Sequence, residues 1–349
     1  MHHSILIIGG GSAGIATASS LLNRDKSLDI AIVEPSETHY YQPGWTMVGG
    51  GIFHPQQTEQ PTHAVMPNRV THIKAAAASF QPDDNTVTLE DGRTVSYDYM
   101  VMAPGLKLNW AGIEGLEDTL GKNGVTSNYR FDLAPYTWKL VQQTKGGKAI
   151  FTQPPMPIKC AGAPQKAMYL SCSEWEKQGT LSQTDVEFCN AGPGLFGVAD
   201  YVPPLMEYVK RYGATLTMNT KLVKVDGPNK IATFAQTYTD GNTTMVDKEF
   251  DMLHVVPPQT GLDFVANSPL ANDAGWVDVD QNSLQHTKYA NVFGLGDGCS
   301  TGNAKTAAAA RKQAPIVAAN LLRVMAGQAP VYHYDGYGSC PLTVENGKV

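Results

Sequence analysis

The sequence predicts an α/β fold built from two Rossmann-like dinucleotide-binding domains, the second inserted into the first. Three observations carry this. Ser4 to Glu34 reads as strand, glycine turn, helix and second strand. Near the other end, Ala290 to Asp297 (ANVFGLGD) reads as a strand closing on G-x-G-D, and between these flanks Gly192, Gly194 and Gly197 repeat the glycine spacing. A chain of 349 residues suits about two domains.

The first stretch is the most specific. Ser4 to Ile8 (SILII) is a short apolar, β-branched run of the kind found in a buried parallel strand. It leads into Gly9, Gly11 and Gly14, which form G-x-G-x-x-G. The first glycine makes the turn, the second admits a pyrophosphate close to the backbone, and the third lets helix and strand pack closely. Ile15, Ala16, Ala18, Leu21 and Leu22 then recur at helical spacing, and the N-terminus of that helix offers N–H groups and a positive dipole end to phosphate. Asp29 to Val33 is the second strand. It ends on Glu34, whose carboxylate suits a ribose 2′-hydroxyl and disfavours a 2′-phosphate.

Pro35 to Gly51 is rich in aromatics and glycine, and fits either a segment lying along a cofactor or a surface loop. Val70 to Leu89 alternates apolar and polar residues about a Pro82–Asn85 turn, which predicts a small antiparallel meander. Tyr97 to Ala103 is a further buried strand, stopped by Pro104-Gly105. The order βαβ, meander, strand and A-P-G is the layout of a flavoprotein domain of the glutathione-reductase-like kind, where A-T-G is usual. In that class the aspartate of the last strand, here Asp297, bonds the ribityl chain or a flavin phosphate. Lys305 to Ala310 opens an alanine-rich helix reaching about Ala326.

The division expected is a discontinuous first domain, 1–110 and 282–349, around an inserted one, 111–281. Within the insert, Ala149–Thr152, Asp185–Asn190 and Leu216–Met218 read as strands, and Phe196–Tyr212 as a helix interrupted by Pro203-Pro204. The second glycine motif would ordinarily take NAD(P)H. Here the strand beginning at Leu216 ends in Asn219-Thr220 with no acidic ribose partner, and Phe196 is bulky where a helix should approach. A duplicated nucleotide fold retained as scaffold, without bound NAD, fits better.

Composition narrows the function. The chain has 42% hydrophobic and 17% charged residues and a net charge of −6, with no Lys/Arg cluster, which argues against nucleic acid. No apolar run approaches the ~18 residues of a membrane span, and with a first strand beginning at Ser4 no signal peptide is expected. The five cysteines show neither C-x-x-C nor zinc spacing, so no metal is expected. Cys160 follows a strand and precedes a helix opened by Pro164, with Lys159 adjacent. This setting favours thiolate, although a buried structural cysteine is the alternative. Cys340 lies in an exposed glycine-rich loop and is incidental on that evidence alone. Cys172 and Cys189 look structural, and Cys299, two residues past Asp297, is the rival partner for Cys160.

Five segments change the balance: HYYQPGWTMVGGG (His39–Gly51), PIKCAGAPQKAMYLS (Pro157–Ser171), AGWVDVD (Ala274–Asp280), NVFGLGDGCSTGNAKTAAAA (Asn291–Ala310) and YDGYGSCPL (Tyr334–Leu342). In these, spread over essentially the whole chain, the sequence resembles the sulfide:quinone oxidoreductases, type II branch. The resemblance implies FAD and a redox pair on Cys160 and Cys340, and it demotes Cys299. It implies FAD contacts at Gly9, Gly11, Ser12, Ala13, Gly14, Glu34, Gln42, the Ala77 backbone, Asp297 and Lys305, the last stabilising anionic reduced flavin. His39–Gly51 contains no cysteine, so non-covalent flavin is expected. Hydrogen sulfide would open the pair, leaving a persulfide on Cys340 and the flavin-attacking thiolate on Cys160. Quinone would reoxidise the flavin, and the sulfur acceptor would be sulfide, sulfite, cyanide or a thiol.

Relatives continue past the CPL segment into an apolar tail that holds them on a membrane. Peripheral membrane attachment is therefore expected of a full-length form, and a soluble one if the chain ends at Val349. A homo-oligomer is compatible with either. The competing functions are an NADH:quinone reductase of the same fold and a weakly active FAD-binding protein.

Overall fold

A computed structural model describes all 349 residues. They divide into two compact units, Met1–Tyr40 with Glu59–Lys107 and Thr260–Ser339, and Tyr41–Thr58 with Leu108–Gln259 and Cys340–Val349.

The first unit is organised by β1 (His2–Ile8), which lies between β2 (Ile30–Val33) and β6 (Thr94–Met102), all parallel. Ile5, Leu6, Ile7 and Ile8 are buried on both faces, as a central parallel strand must be when its two faces are both covered. Ile5 and Ile7 join α1 (Ser12–Arg24) and the helix Ala307–Met325 in one apolar cluster, where Ala18 and Leu21 meet Ala314, Val317 and Leu321. Leu6 and Ile8 point the other way, toward Phe80, Val277 and Val279.

The meander expected over Val70–Leu89 is only half right. Val70–Ile73, β3, pairs parallel with β2 at the sheet edge. The antiparallel hairpin is β4 (Ala77–Gln81) with β5 (Thr86–Leu89) around the Pro82–Asn85 turn, where Asn85 takes φ +53. The edge of β6 is shared: its first residues pair with β5, and Met100–Met102 pair parallel with Val292–Gly294.

The second unit holds a parallel sheet ordered β7 (Val125–Thr126), β14 (Met252–His254), β8 (Gly147–Gln153), β9 (Thr184–Asn190) and β10 (Thr215–Thr217). Beside it in the chain run the antiparallel β11 (Thr220–Asp226), β12 (Ile231–Thr237) and β13 (Thr243–Glu249). The four helices are α2 (Trp45–Gly49), α3 (Ala134–Gln143), α4 (Ala163–Gln178) and α5 (Val202–Arg211). Pro203-Pro204 open α5 rather than interrupt it, because proline lacks only an N–H that the first turn leaves unpaired anyway.

Two segments expected in the first domain fall in this unit, Tyr41–Thr58 and Cys340–Val349. The first is drawn in by glycines used for packing. A Cβ on Gly49 would lie 2.1 Å from Asn128 Oδ1, on Gly50 2.6 Å from a Leu170 methyl, and on Gly51 2.4 Å from the Trp138 ring. The run after Trp45 is thus an interhelical contact surface against α3 and α4. A loose surface loop does not describe it.

Candidate functional site

The glycine loop of the first unit has the geometry of a dinucleotide seat. Gly9 sits at φ +103, which only glycine adopts freely, and a Cβ there would be 2.3 Å from the Ala103 carbonyl oxygen. At Gly14 a Cβ would be 1.9 Å from the Gly9 oxygen, so α1 can approach β1 only without one. Gly11 differs: nothing lies within 4 Å of the corresponding position, so the backbone is open on that side. No side chain caps α1, whose Ncap is Gly11. Glu34 closes the loop, its Oε2 accepting from the Gly10 N–H and its Oε1 from the Ser36 N–H, both at 2.8 Å. Open backbone, uncapped helix start and fixed carboxylate fit a dinucleotide phosphate and ribose.

Other expected contacts gather in the same unit. Asp297 lies in the turn Gly296–Gly298, which abuts the first turn of α1: a Cβ on Gly296 would meet that of Ala13 at 2.9 Å. Gln313, fully buried, accepts from the Gly296 N–H at 2.8 Å. Ala77 opens β4, with its side chain in the core. Lys305 is buried, its ammonium donating to the Cys299 carbonyl at 2.7 Å and lying 4.4 Å over the Trp276 ring. Burial holds its pKa below that of an ordinary lysine. Gln42 lies in the second unit, where Lys159 Nζ donates to its Oε1.

The cysteines are sorted unambiguously. Cys160 and Cys340 form a disulfide, Cα atoms 6.3 Å apart across a sequence separation of 180. Cys172, Cys189 and Cys299 are free and buried. Burial raises all three thiols, that of Cys299 to about 12, and its Sγ faces the Met102 carbonyl at 3.9 Å. Cys299 is therefore a packed thiol.

The Cys160 loop is held tightly. Cys160 adopts φ +56, a left-handed conformation costly for a residue with a Cβ unless its surroundings enforce it. Tyr129 Oη donates to the carbonyls of Lys159 at 2.7 Å and Cys160 at 3.3 Å. The Cys160 carbonyl also accepts from the Ala163 N–H at 2.9 Å, and the Lys159 N–H donates to Gln259 Oε1 at 2.6 Å. Gly162 supplies room, since a Cβ there would stand 2.7 Å from Cys340 Sγ. Sequence reasoning singled out neither Tyr129 nor Gly162. The glycine two residues past Cys160 was the one available signal.

The second glycine motif has another geometry. Asn190 Oδ1 accepts from the Gly192 N–H and its Nδ2 donates to the Gly194 carbonyl, both at 2.8 Å. Gly194 and Gly197 abut nothing within 4 Å, and α5 starts only at Val202. Its glycines thus serve no close helix–strand contact and open no helix.

Residues 3–141 match the pyridine nucleotide-disulphide oxidoreductase family. Over 348 residues the chain is 42% identical to the mitochondrial sulfide:quinone oxidoreductase of Dictyostelium discoideum, covering 99% of this chain and 76% of that one. Against the mouse (Mus musculus) mitochondrial sulfide:quinone oxidoreductase it is 38% identical, covering 100% and 77%. The chain belongs to the sulfide:quinone oxidoreductase family. The fold agrees with a solved member, the Aquifex aeolicus sulfide:quinone oxidoreductase, at TM-score 0.79 and 24% identity over 93% of this chain and 77% of that one. Sulfide:quinone oxidoreductases are flavin-type oxidoreductases, and the glycine seat of the first unit is built for such a cofactor. No helix is long and apolar enough to cross a membrane.

Proposed function

We propose that this chain oxidises hydrogen sulfide, passing two electrons to quinone and sulfane sulfur to an acceptor, with Cys160 and Cys340 as the reacting pair. The Cys160–Cys340 disulfide carries the reading: two cysteines far apart in the chain are joined at a loop that four hydrogen bonds to its backbone hold in place.

The sulfur chemistry balances on these residues. Hydrosulfide attacks Cys340 Sγ; a sulfur–sulfur bond forms there and the Cys160–Cys340 bond breaks. Cys340 is left as a persulfide and Cys160 as a thiolate, with no net change in charge. Transfer of the outer sulfur to sulfide, sulfite, cyanide or a thiol leaves Cys340 as a thiolate too. Closing the pair again releases two electrons. FAD, when bound, supplies the two-electron store between this pair and quinone.

Gly9, Gly11, Ser12, Ala13, Gly14 and Glu34 would hold the dinucleotide, with Ala77 and Asp297 as further contacts. Lys305 is buried, and its ammonium form would favour the electron-rich form of a bound cofactor. Gln42 we assign to Lys159 and the cysteine loop, on the strength of their hydrogen bond. A lipid-soluble quinone suits docking on a membrane surface.

The test is anaerobic mixing of the purified yellow protein with a few equivalents of sulfide, and separately with NADH, following the blue absorbance band of oxidised flavin. Bleaching by sulfide, recovered on adding a soluble quinone, is expected. Bleaching by NADH alone, with none by sulfide, would overturn the reading.

A further inference from the structure

The disulfide is not all that holds Cys340 in place. Leu342 to Lys348 turns on itself, the Val344 N–H donating to the Lys348 carbonyl at 3.0 Å. Val344 is buried in the apolar cluster that contains Tyr169, Trp175 and Tyr212, and Leu342 packs against it. Two residues of α5, Tyr208 and Arg211, and Tyr212 just past its end then grip the segment. Tyr212 Oη donates to the Val344 carbonyl at 2.8 Å, Tyr208 Oη to Glu345 Oε1 at 3.1 Å, and Arg211 Nη1 to Glu345 Oε2 at 3.1 Å.

Arg211 has a second engagement. Its Nε and Nη2 donate to the two oxygens of Glu176 at 3.1 and 2.6 Å. Glu176 lies on α4, the helix into which Cys160 leads. One guanidinium therefore fastens the helix behind Cys160 to the segment behind Cys340, using the paired-donor geometry that lysine lacks.

We propose that Arg211, with Tyr208 and Tyr212, is a positioning device that keeps the Cys340 sulfur opposite Cys160 while the bond between them is open. The idea rests on the redox role of that pair. An open pair on an undocked segment would behave as two groups joined by a flexible linker, whose effective concentration is in the millimolar range. Docking confines Cys340 to a small volume, so the pair closes again in preference to reacting with other thiols.

The experiment is equilibration of the flavin-loaded full chain in glutathione buffers, then rapid alkylation of the folded protein, denaturation and mass counting. Opening consumes two glutathione thiols and yields one glutathione disulfide and two cysteine thiols, so two electrons and two protons move together. Because Cys172, Cys189 and Cys299 are fully buried, alkylation before denaturation reports the pair.

The double variant Arg211→Ala, Glu345→Gln is expected to shift the midpoint toward the open form by roughly three- to tenfold, a range suited to a few partly exposed charge-assisted contacts. Arg211→Lys should fall between that variant and the parent. Tyr212→Phe, which removes a single hydroxyl, gives the same reading if the double variant fails to fold, with a shift of roughly threefold. Midpoints unchanged within about twofold, with or without a fall in thermal stability, would reduce the contacts to ordinary structure and overturn the proposal. The readout needs no sulfide turnover, so a chain inactive toward sulfide still answers it.

Discussion

Gly162 is where the geometry of the cysteine pair makes its strongest demand. Its φ of −89° and ψ of −12° suit any residue, so Gly162→Ala introduces no backbone strain. The added methyl would stand 2.4 Å from Leu342 Cδ2 and 2.7 Å from Cys340 Sγ. The leucine methyl lies at the end of a flexible side chain and can turn aside. The sulfur cannot while it is bonded to Cys160. Overpacking of this kind costs about 1–3 kcal/mol. The cost falls on the closed form, because Cys340 can retreat once the bond is broken. Closing should therefore be disfavoured by about five- to 150-fold, read as the fraction of closed pair in glutathione buffers with flavin content unchanged. Gly194→Ala, in the same unit and with nothing within 4 Å, is the control and should leave the equilibrium alone. If Gly162→Ala closes as readily as the parent, the Cys340 segment yields to the methyl and the steric argument fails.

Gly14→Ala places a methyl 1.9 Å from the Gly9 oxygen and should yield chains that emerge mostly colourless, measured as flavin absorbance per chain. Cys160→Ser should retain flavin yet lose bleaching by sulfide in stopped flow. Tyr129→Phe removes the donor to the Lys159 and Cys160 carbonyls, at about 0.5–1.5 kcal/mol, and should slow sulfide-dependent bleaching several-fold without releasing flavin. His254 is fully buried, with Nε2 accepting from the Asn128 N–H at 3.0 Å, and burial pushes its pKa down from 6.5 to about 3. The unfolded chain takes up that proton first. Stability fully present above pH 6.5 is thus lost as pH falls toward 3, by up to about 1.4 kcal/mol per pH unit, and His254→Gln should flatten the acid limb of a denaturation series.

What the sequence made legible was what local pattern controls. The Ser4–Glu34 unit follows from an apolar run, glycine spacing and helical period within one short stretch, and each part stands where it was expected. Val70–Ile73 departs from the expected meander because alternation reads the same in a hairpin and at the edge of a parallel sheet. Only β2, reached through tertiary folding, decides between them. The prolines at 203 and 204 are plain in the sequence, but their position relative to the helix start is not. For the cysteines, residue chemistry alone left Cys160, Cys299 and Cys340 open, and family resemblance supplied the pairing. The roles of Gly162, Tyr129 and the glycines at 49–51 are illegible locally for one shared reason. Each matters through a neighbour distant in sequence, Cys340, the Cys160 loop or α3 and α4, and no local signal names such a neighbour.

The shared edge of β6 bears on how the chain is made. Met100–Met102 stay unpaired along part of that edge until Val292–Gly294 arrive, and Leu108–Gln259, most of the second unit, is synthesised in between. On the ribosome the early strands must wait with apolar backbone edge showing, the kind of surface that chaperones guard. The interrupting segment can meanwhile assemble its own parallel sheet. The unit begun first thus stays open while most of the second is made, and its vulnerable interval lasts as long as translation of the insert.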